Sequence, residues 1–312
     1  MRILVLAWEF PPRLVGGIAR HVAELYPEIV KLGHEVHLIT IEFGQAPSYE
    51  LVEGIHIHRV PVPPGNDFFH WVVNMNNSMG QQGGKIIAEY GKFDLVHAHD
   101  WLVGDAAIAL KHLFKIPLIA TIHATEYGRY NGLHTDTQRY IAGKEGTLVY
   151  NAWRVIVCTG YMRHEVHRAL GAPWDKIDVV YNGIRAEKKQ RDPNFDYRAF
   201  RRQYAEDHEK IVYYVGRMTF EKGFRCYSTL PQKSSARLGL KLNLSLSVAA
   251  IPTNSNNRPG ISVSGIIVIL RALCPMKTSI ASKPWPIVPF FPVFTNLLVL
   301  SPWKVSPLGF PW

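Results

Sequence analysis

The chain has 312 residues, 47% hydrophobic and 12% aromatic, with a formal net charge of +10. Length suggests two domains, and the composition is that of a globular chain. The charge excludes a nucleic-acid-binding face, because residues 1–224 carry 26 Lys and Arg against 25 Asp and Glu, and the excess comes from 9 unopposed bases beyond.

Met1–Trp8 is an apolar run too short for a signal peptide and is followed at once by Glu9 and Pro11-Pro12, so it reads as a buried strand. Further strands are expected at 35–41, 55–61, 94–98, 117–123, 154–159, 177–181 and 211–216. Helical patterns fall at 18–32, 68–90, 102–114, 135–150, 161–170 and 195–206. Strand–helix alternation predicts an α/β fold with a doubly wound parallel sheet. The hairpin-like stretch 49–61 is the antiparallel exception. The polar run Arg185–Asn194 reads as a linker, and a second unit begins near Phe195 with its first strand at Lys210–Gly216. Cys158, Cys226 and Cys274 are odd in number and lack ligand spacing, which predicts a reducing, cytoplasmic setting with no disulfide and no zinc site. The greasiest tail stretch, Ile287–Leu300, is broken by Pro289, Pro292 and Asn296 and is short for a membrane span.

Ligands of open parallel sheets sit outside the strands' carboxyl ends. After the first strand comes Glu9-Phe10-Pro11-Pro12 and then Gly16-Gly17, opening a helix: either a phosphate site or a tight turn. His97-Ala98-His99-Asp100-Trp101 closes another strand. Asp and Trp suit hydroxyl-rich ligands, while His97 reads equally as core and Asp100 as a helix cap. His97 and His99 share one side of the strand. Thr121-Ile122-His123-Ala124-Thr125-Glu126-Tyr127 closes the next, and Gly128–Gly132 reads as a flexible loop. His123 is a substrate contact or a structural histidine. In Gly216-Arg217…Lys222-Gly223, Arg217 and Lys222 are a diphosphate clamp or a solvated loop.

Taken in order and spacing, these motifs, with Tyr181-Asn182-Gly183-Ile184, resemble the retaining GT-B glycosyltransferases of family 4, and in particular their glycogen and starch synthase group. The resemblance covers residues 1–224. It implies two doubly wound domains, with the acceptor mainly on the first and the nucleotide-sugar mainly on the second. By the same resemblance His123 and Asp100 serve catalysis. Gly16, Gly17, Arg217 and Lys222 hold the donor phosphates. His99, Trp101 and Glu126 line the acceptor and sugar side. No metal or cofactor is implied, since two cations stabilise the departing nucleotide. The partners are a nucleotide-sugar and a carbohydrate or other hydroxyl acceptor. Glycogen and starch synthases carry Lys before the Gly-Gly pair; here Val15 stands there, with Arg13 nearby. Alternatives are a non-catalytic acceptor-binding remnant and a nucleotide-sugar epimerase of the same architecture, the latter disfavoured by the Glu-Phe-Pro-Pro and Gly-Gly opening.

Residues 225–312 contain no Asp, Glu or His, whereas residues 1–224 hold all 25 acids and all 14 His. With about a quarter of residues ordinarily charged, so long an acid-free stretch arises on the order of once in 10⁵ chains. The family's second domain carries a Glu, seven residues and a second Glu, which this tail cannot supply. Back-translating Pro289–Trp312 and reading two bases later permits V-F-P-S-F-Y-E-P-F-G-I-V-A-L-E, which contains that pair. The expected organisation is therefore a first domain at 1–190, a linker with the opening strand of an incomplete Rossmann-like domain at 191–224, and an out-of-frame, unstructured tail at 225–312. An out-of-frame peptide has no selected hydrophobic period to specify one fold.

Overall fold

The computed structural model describes residues 1–183, 185 and 194–203, together with the backbone of four strands at 210–216, 247–250, 266–272 and 297–299. It divides into two compact units, Met1–Lys189 and Gln190–Trp312.

In the first unit the elements run β1 (Arg2–Leu6), α1 (Gly17–Lys31), β2 (Glu35–Ile41), β3 (Tyr49–Val52), β4 (Ile55–Val60), α2 (Phe68–Tyr90) and β5 (Leu95–His99). They continue with α3 (Gly104–Phe114), β6 (Leu118–Ile122), α4 (Glu126–Tyr130), α5 (Asp136–Asn151), β7 (Arg154–Val157), α6 (Gly160–Leu170) and β8 (Ile177–Val179). The sheet order is β3-β4-β2-β1-β5-β6-β7-β8. Every pairing is parallel except β3 with β4, the expected hairpin.

The central strands are apolar on both faces because both are covered. In β1, Leu4 and Leu6 join the core beneath α2 and α3, while Ile3 and Val5 point oppositely, to the core beneath α1. Helix α1 buries Ile18, Val22 and Tyr26, one residue per turn on one stripe. Local signals set the boundaries. Asp67 caps α2 by accepting from the His70 N–H, and Thr135 with Gln138 forms a capping box on α5. The first three residues of the segment read as a flexible loop belong instead to α4: the Thr125 hydroxyl accepts from the Gly128 N–H at 2.9 Å and starts a helical turn. The free thiol of Cys158 is half-buried. No helix among the described residues is long and apolar enough to cross a membrane.

The second unit contains α7 (Tyr197–Arg202) and a sheet in the order β10 (Ser247–Ala250), β11 (Ile266–Ala272), β9 (Lys210–Gly216), β12 (Leu297–Val299). Strand β9 pairs antiparallel with β11 and parallel with β12. Three segments of the tail read as unstructured thus form short strands.

Candidate functional site

Because β1, β5 and β6 are adjacent and parallel, their carboxyl ends share one rim. Gly16 and Gly17 follow β1, His99 and Asp100 close β5, and His123 follows β6. The expected neighbours are brought together.

His123 is the best-defined of them. Its backbone N–H donates to Asp100 Oδ1 at 2.8 Å, and its ring Nε2 lies 3.1 Å from His99 Nδ1. Asp100 does not cap the following helix; its side chain makes no capping bond. It takes φ 61° and ψ 172°, a region nearly reserved for glycine, at a cost of about 1–3 kcal/mol. Burial raises its carboxyl to about 6, against the pull of the His123 N–H.

A hydrogen-bonded chain runs inward from His123. Tyr26 Oη lies 2.7 Å from His99 Nε2 and 2.8 Å from His97 Nδ1. His97 Nε2 lies 2.7 Å from Thr121 Oγ1. The His97 and His99 rings stack at 4.5 Å, as their shared side of the strand requires. His21, one turn into α1, stands edge-on to His123 at 4.8 Å. Burial lowers His21, chiefly by desolvation and then by the nearby His123, to about 4. Desolvation also lowers His123 to about 4 and His97 to about 3. All are therefore neutral near pH 7.

The other candidate residues lie beneath the histidine group or beside it. His99 is 0% exposed, so it reaches the rim only through His123 and cannot itself face an acceptor. Trp101 is half-buried and packs edge-on against Phe68 at 6.4 Å, outside the histidine group. Glu126 is buried; its backbone N–H donates to Glu145 Oε1 and Oε2 at 2.9 and 3.1 Å. At the first turn, the Glu9 carboxylate is 1% exposed and accepts from Val15 N–H and Gly16 N–H at 2.7 Å each, and from Ala19 N–H at 3.3 Å. A side chain already fills the anion position expected for a phosphate at Gly16. Gly17 remains open, with nothing within 4 Å of where a Cβ would stand. Arg217 and Lys222 lie outside the described residues.

Sequence reading took Glu9 only as part of the first-turn motif and missed His21 and Tyr26. Tyr26 shares its apolar stripe with Ile18 and Val22, and a hydroxyl on such a stripe needs a buried partner. Beside this rim, a cavity of about 440 Å³ is lined by Arg13, Ile41, Glu42, Pro61, Val62 and Trp71.

Residues 15–188 match the profile described as Glycosyltransferase Family 4. An uncharacterized glycosyltransferase of Methanocaldococcus jannaschii is 35% identical over 225 residues, covering 72% of this chain and 57% of that protein. A glycogen synthase of Mycobacterium tuberculosis is 33% identical over 261 residues, covering 78% of this chain and 61% of that one. The chain thus spans about three fifths of the length of these relatives. The catalytic domain of starch synthase IV from Arabidopsis thaliana shares the fold at TM-score 0.53 and 17% identity, covering 76% of this chain and 65% of that one. Sucrose-phosphate synthase from Thermosynechococcus elongatus does so at TM-score 0.50 and 18% identity, covering 60% and 49%. With more than half its length inside the family profile and the sheet of these GT-B enzymes, this chain belongs to glycosyltransferase family 4.

Proposed function

We propose that the first unit is the acceptor-side half of a retaining glycosyltransferase acting in the cytoplasm. The carrying observation is Asp100: a strained backbone and a buried carboxylate are used to hold the His123 N–H at the rim. Strain of this kind clusters at active sites. In the proposed reaction an acceptor hydroxyl attacks the anomeric carbon of a nucleotide-sugar. The new C–O bond forms on the face from which the diphosphate departs, and the hydroxyl proton leaves with it. His123 contacts the sugar, Asp100 and Trp101 stand on the acceptor side, and Gly17 admits the donor phosphates to the backbone. Arg217 and Lys222 neutralise the leaving group, so no metal takes part. A starch synthase of this fold, solved with ADP and acarbose, supports a nucleotide-sugar and a glucan-like acceptor as the first pair to assay.

The same proposal makes this particular chain inactive. Its residues 225–312 hold no acid with which to bind a ribose or a donor sugar. We read the tail as an out-of-frame translation of the donor domain, which leaves at most an acceptor-binding module. The test is turnover of radiolabelled nucleotide-sugars by this chain and by a version with the frame restored after Phe224. The reading expects turnover in the restored chain alone. Genomic DNA that cannot encode E-P-F-G-I-V-A-L-E in either shifted frame would sink the frameshift, and turnover by the present chain would sink its inactivity.

A further inference from the structure

The end of the sheet opposite the rim carries exposed apolar side chains. Leu113 in the last turn of α3 is 76% exposed, Tyr150 in the last turn of α5 is 83% exposed, and Trp153, just before β7, is 67% exposed. Single exposed apolar residues are ordinary, whereas a group of them in one place marks a contact surface. Hydrogen bonds draw these segments together. His112 Nε2 lies 3.2 Å from Asn151 Oδ1, which ties the end of α3 to the end of α5. The Trp153 N–H donates to the Leu118 carbonyl at 2.7 Å, at the start of β6.

Three lysines frame this group. Lys111 Nζ donates to the Asn151 carbonyl at 2.7 Å and Lys176 Nζ to the Tyr150 carbonyl at 2.9 Å. The two ammonium groups thus sit on consecutive carbonyls, and each keeps two further donors. Lys115, exposed, follows α3 at once. Among the described residues the lysine ion pairs are Lys31–Glu28 and Lys144–Asp105, so none of these three is neutralised. The carboxylates nearest Lys176 in sequence are engaged elsewhere: Asp178 pairs with Arg154, and the charge of Asp175 acts on that same arginine. Burial, and then the charge of Lys111, lowers the Lys176 ammonium. The face therefore disfavours a second copy of itself, because an isologous contact would set lysines against lysines.

Its occupant must accept aromatic rings and supply negative charge. Tyr and Trp, apolar bodies with a polar tip, settle at the headgroup level of a bilayer. An anionic leaflet attracts lysines that come within a Debye length of it. We propose that Leu113, Tyr150 and Trp153, framed by Lys111, Lys115 and Lys176, dock the first unit on the surface of an anionic lipid bilayer, with the rim at the end away from the lipid. The contact lies on the membrane and does not span it. It is independent of glycosyl transfer, and its test does not read turnover.

The full chain is mixed with phosphatidylcholine vesicles containing about one third phosphatidylserine, and separately with phosphatidylcholine alone. Residues 225–312 carry 9 unopposed bases, so attachment by itself does not identify the face, and the readout is local. Amide hydrogen exchange should slow at 111–118 and 150–154 on the anionic vesicles only, with the rim loops at Gly17 and His123 unchanged. Trp153→Ala should raise the lipid concentration needed at least about tenfold, and Lys115→Gln about fivefold. Val73→Ser, at an exposed apolar position on α2, should behave as wild type. Circular dichroism checks that each variant is folded; if Trp153→Ala is not, Tyr150→Ser, at the more exposed ring, replaces it. Absence of slowing at these two segments, or wild-type slowing in the folded aromatic variant, overturns the proposal. Equal slowing with polyglutamate and no lipid would assign the face to an acidic protein, and self-association lost in Trp153→Ala would assign it to a second copy; either result overturns it as well.

Discussion

Two groups of clustered histidines lie at the same sheet and differ in almost everything but residue type. The first joins His21, His97, His99 and His123 at the carboxyl ends of β5 and β6. The second joins His37, His56 and His58, with His37 and His56 near the amino ends of β2 and β4. In the second group each imidazole has a local answer. His37 lies 3.0 Å from Glu35 Oε1 and 3.1 Å from His58 Nε2, and His56 Nδ1 lies 2.9 Å from Tyr49 Oη. In the first group a buried nitrogen is left over and an aspartate is bent to hold a backbone. The end of the strand, not the residue, separates a site from a support.

The largest effect that can break this comparison is on turnover. In the frame-restored chain, His123→Ala should lower kcat by about 10²–10³-fold, the scale of losing one fixed polar contact to the reacting group. His56→Ala should leave it near wild type; equal losses would erase the distinction. Next is stability. Tyr26→Phe strips partners from two buried imidazoles, at about 1–3 kcal/mol, and should lower Tm by about 2–10 °C. Tyr49→Phe, at an exposed hydroxyl, should fall within about 0.5 kcal/mol of wild type in denaturant titration.

The pH dependence of unfolding sharpens the comparison further. Burial lowers His58 to about 4 from 6.5, so the unfolded chain takes up its proton first and stability falls as pH drops through that window. Glu145, beneath the rim, behaves oppositely. Burial raises it to about 8 from 4.5, so the folded chain keeps a proton the unfolded one has lost, and stability declines as pH rises through that range. His58→Phe should flatten the acid limb and Glu145→Gln the alkaline decline, each by on the order of a few kcal/mol across its window. The smallest effect is a control: Thr135→Ala removes the α5 capping box, costs about 1 kcal/mol, and should leave both histidine groups unchanged in histidine NMR spectra.

Most of the first unit was legible because its strands are apolar on both faces and its helices carry one apolar stripe. Alternation gave the strands to within about two residues, and the hairpin at β3–β4 stood out by its brevity. The rim followed from topology, since parallel neighbours must end on one side. Partners across sequence were harder to read. Nothing local in Glu9 says that it will bend back on the turn it precedes, and nothing in Tyr26 says that it bridges two histidines more than seventy residues away. The start of the Gly-rich run after Glu126 was misread because a threonine cap outweighed Gly128.

Glu9 has a consequence for whatever binds at the first turn. With Val15 and Gly16 N–H already answered by its carboxylate, the turn is a filled socket. A phosphate that came to Gly16 would have to displace a carboxylate that stays tethered beside it, so the complex would add the phosphate's full charge next to a standing negative one. A phosphate that stops at Gly17 would meet that same charge and need a cation of its own. Arg13, whose guanidinium lies over the Trp8 and Phe43 rings at 5.3 and 5.6 Å, is within the same loop to supply one.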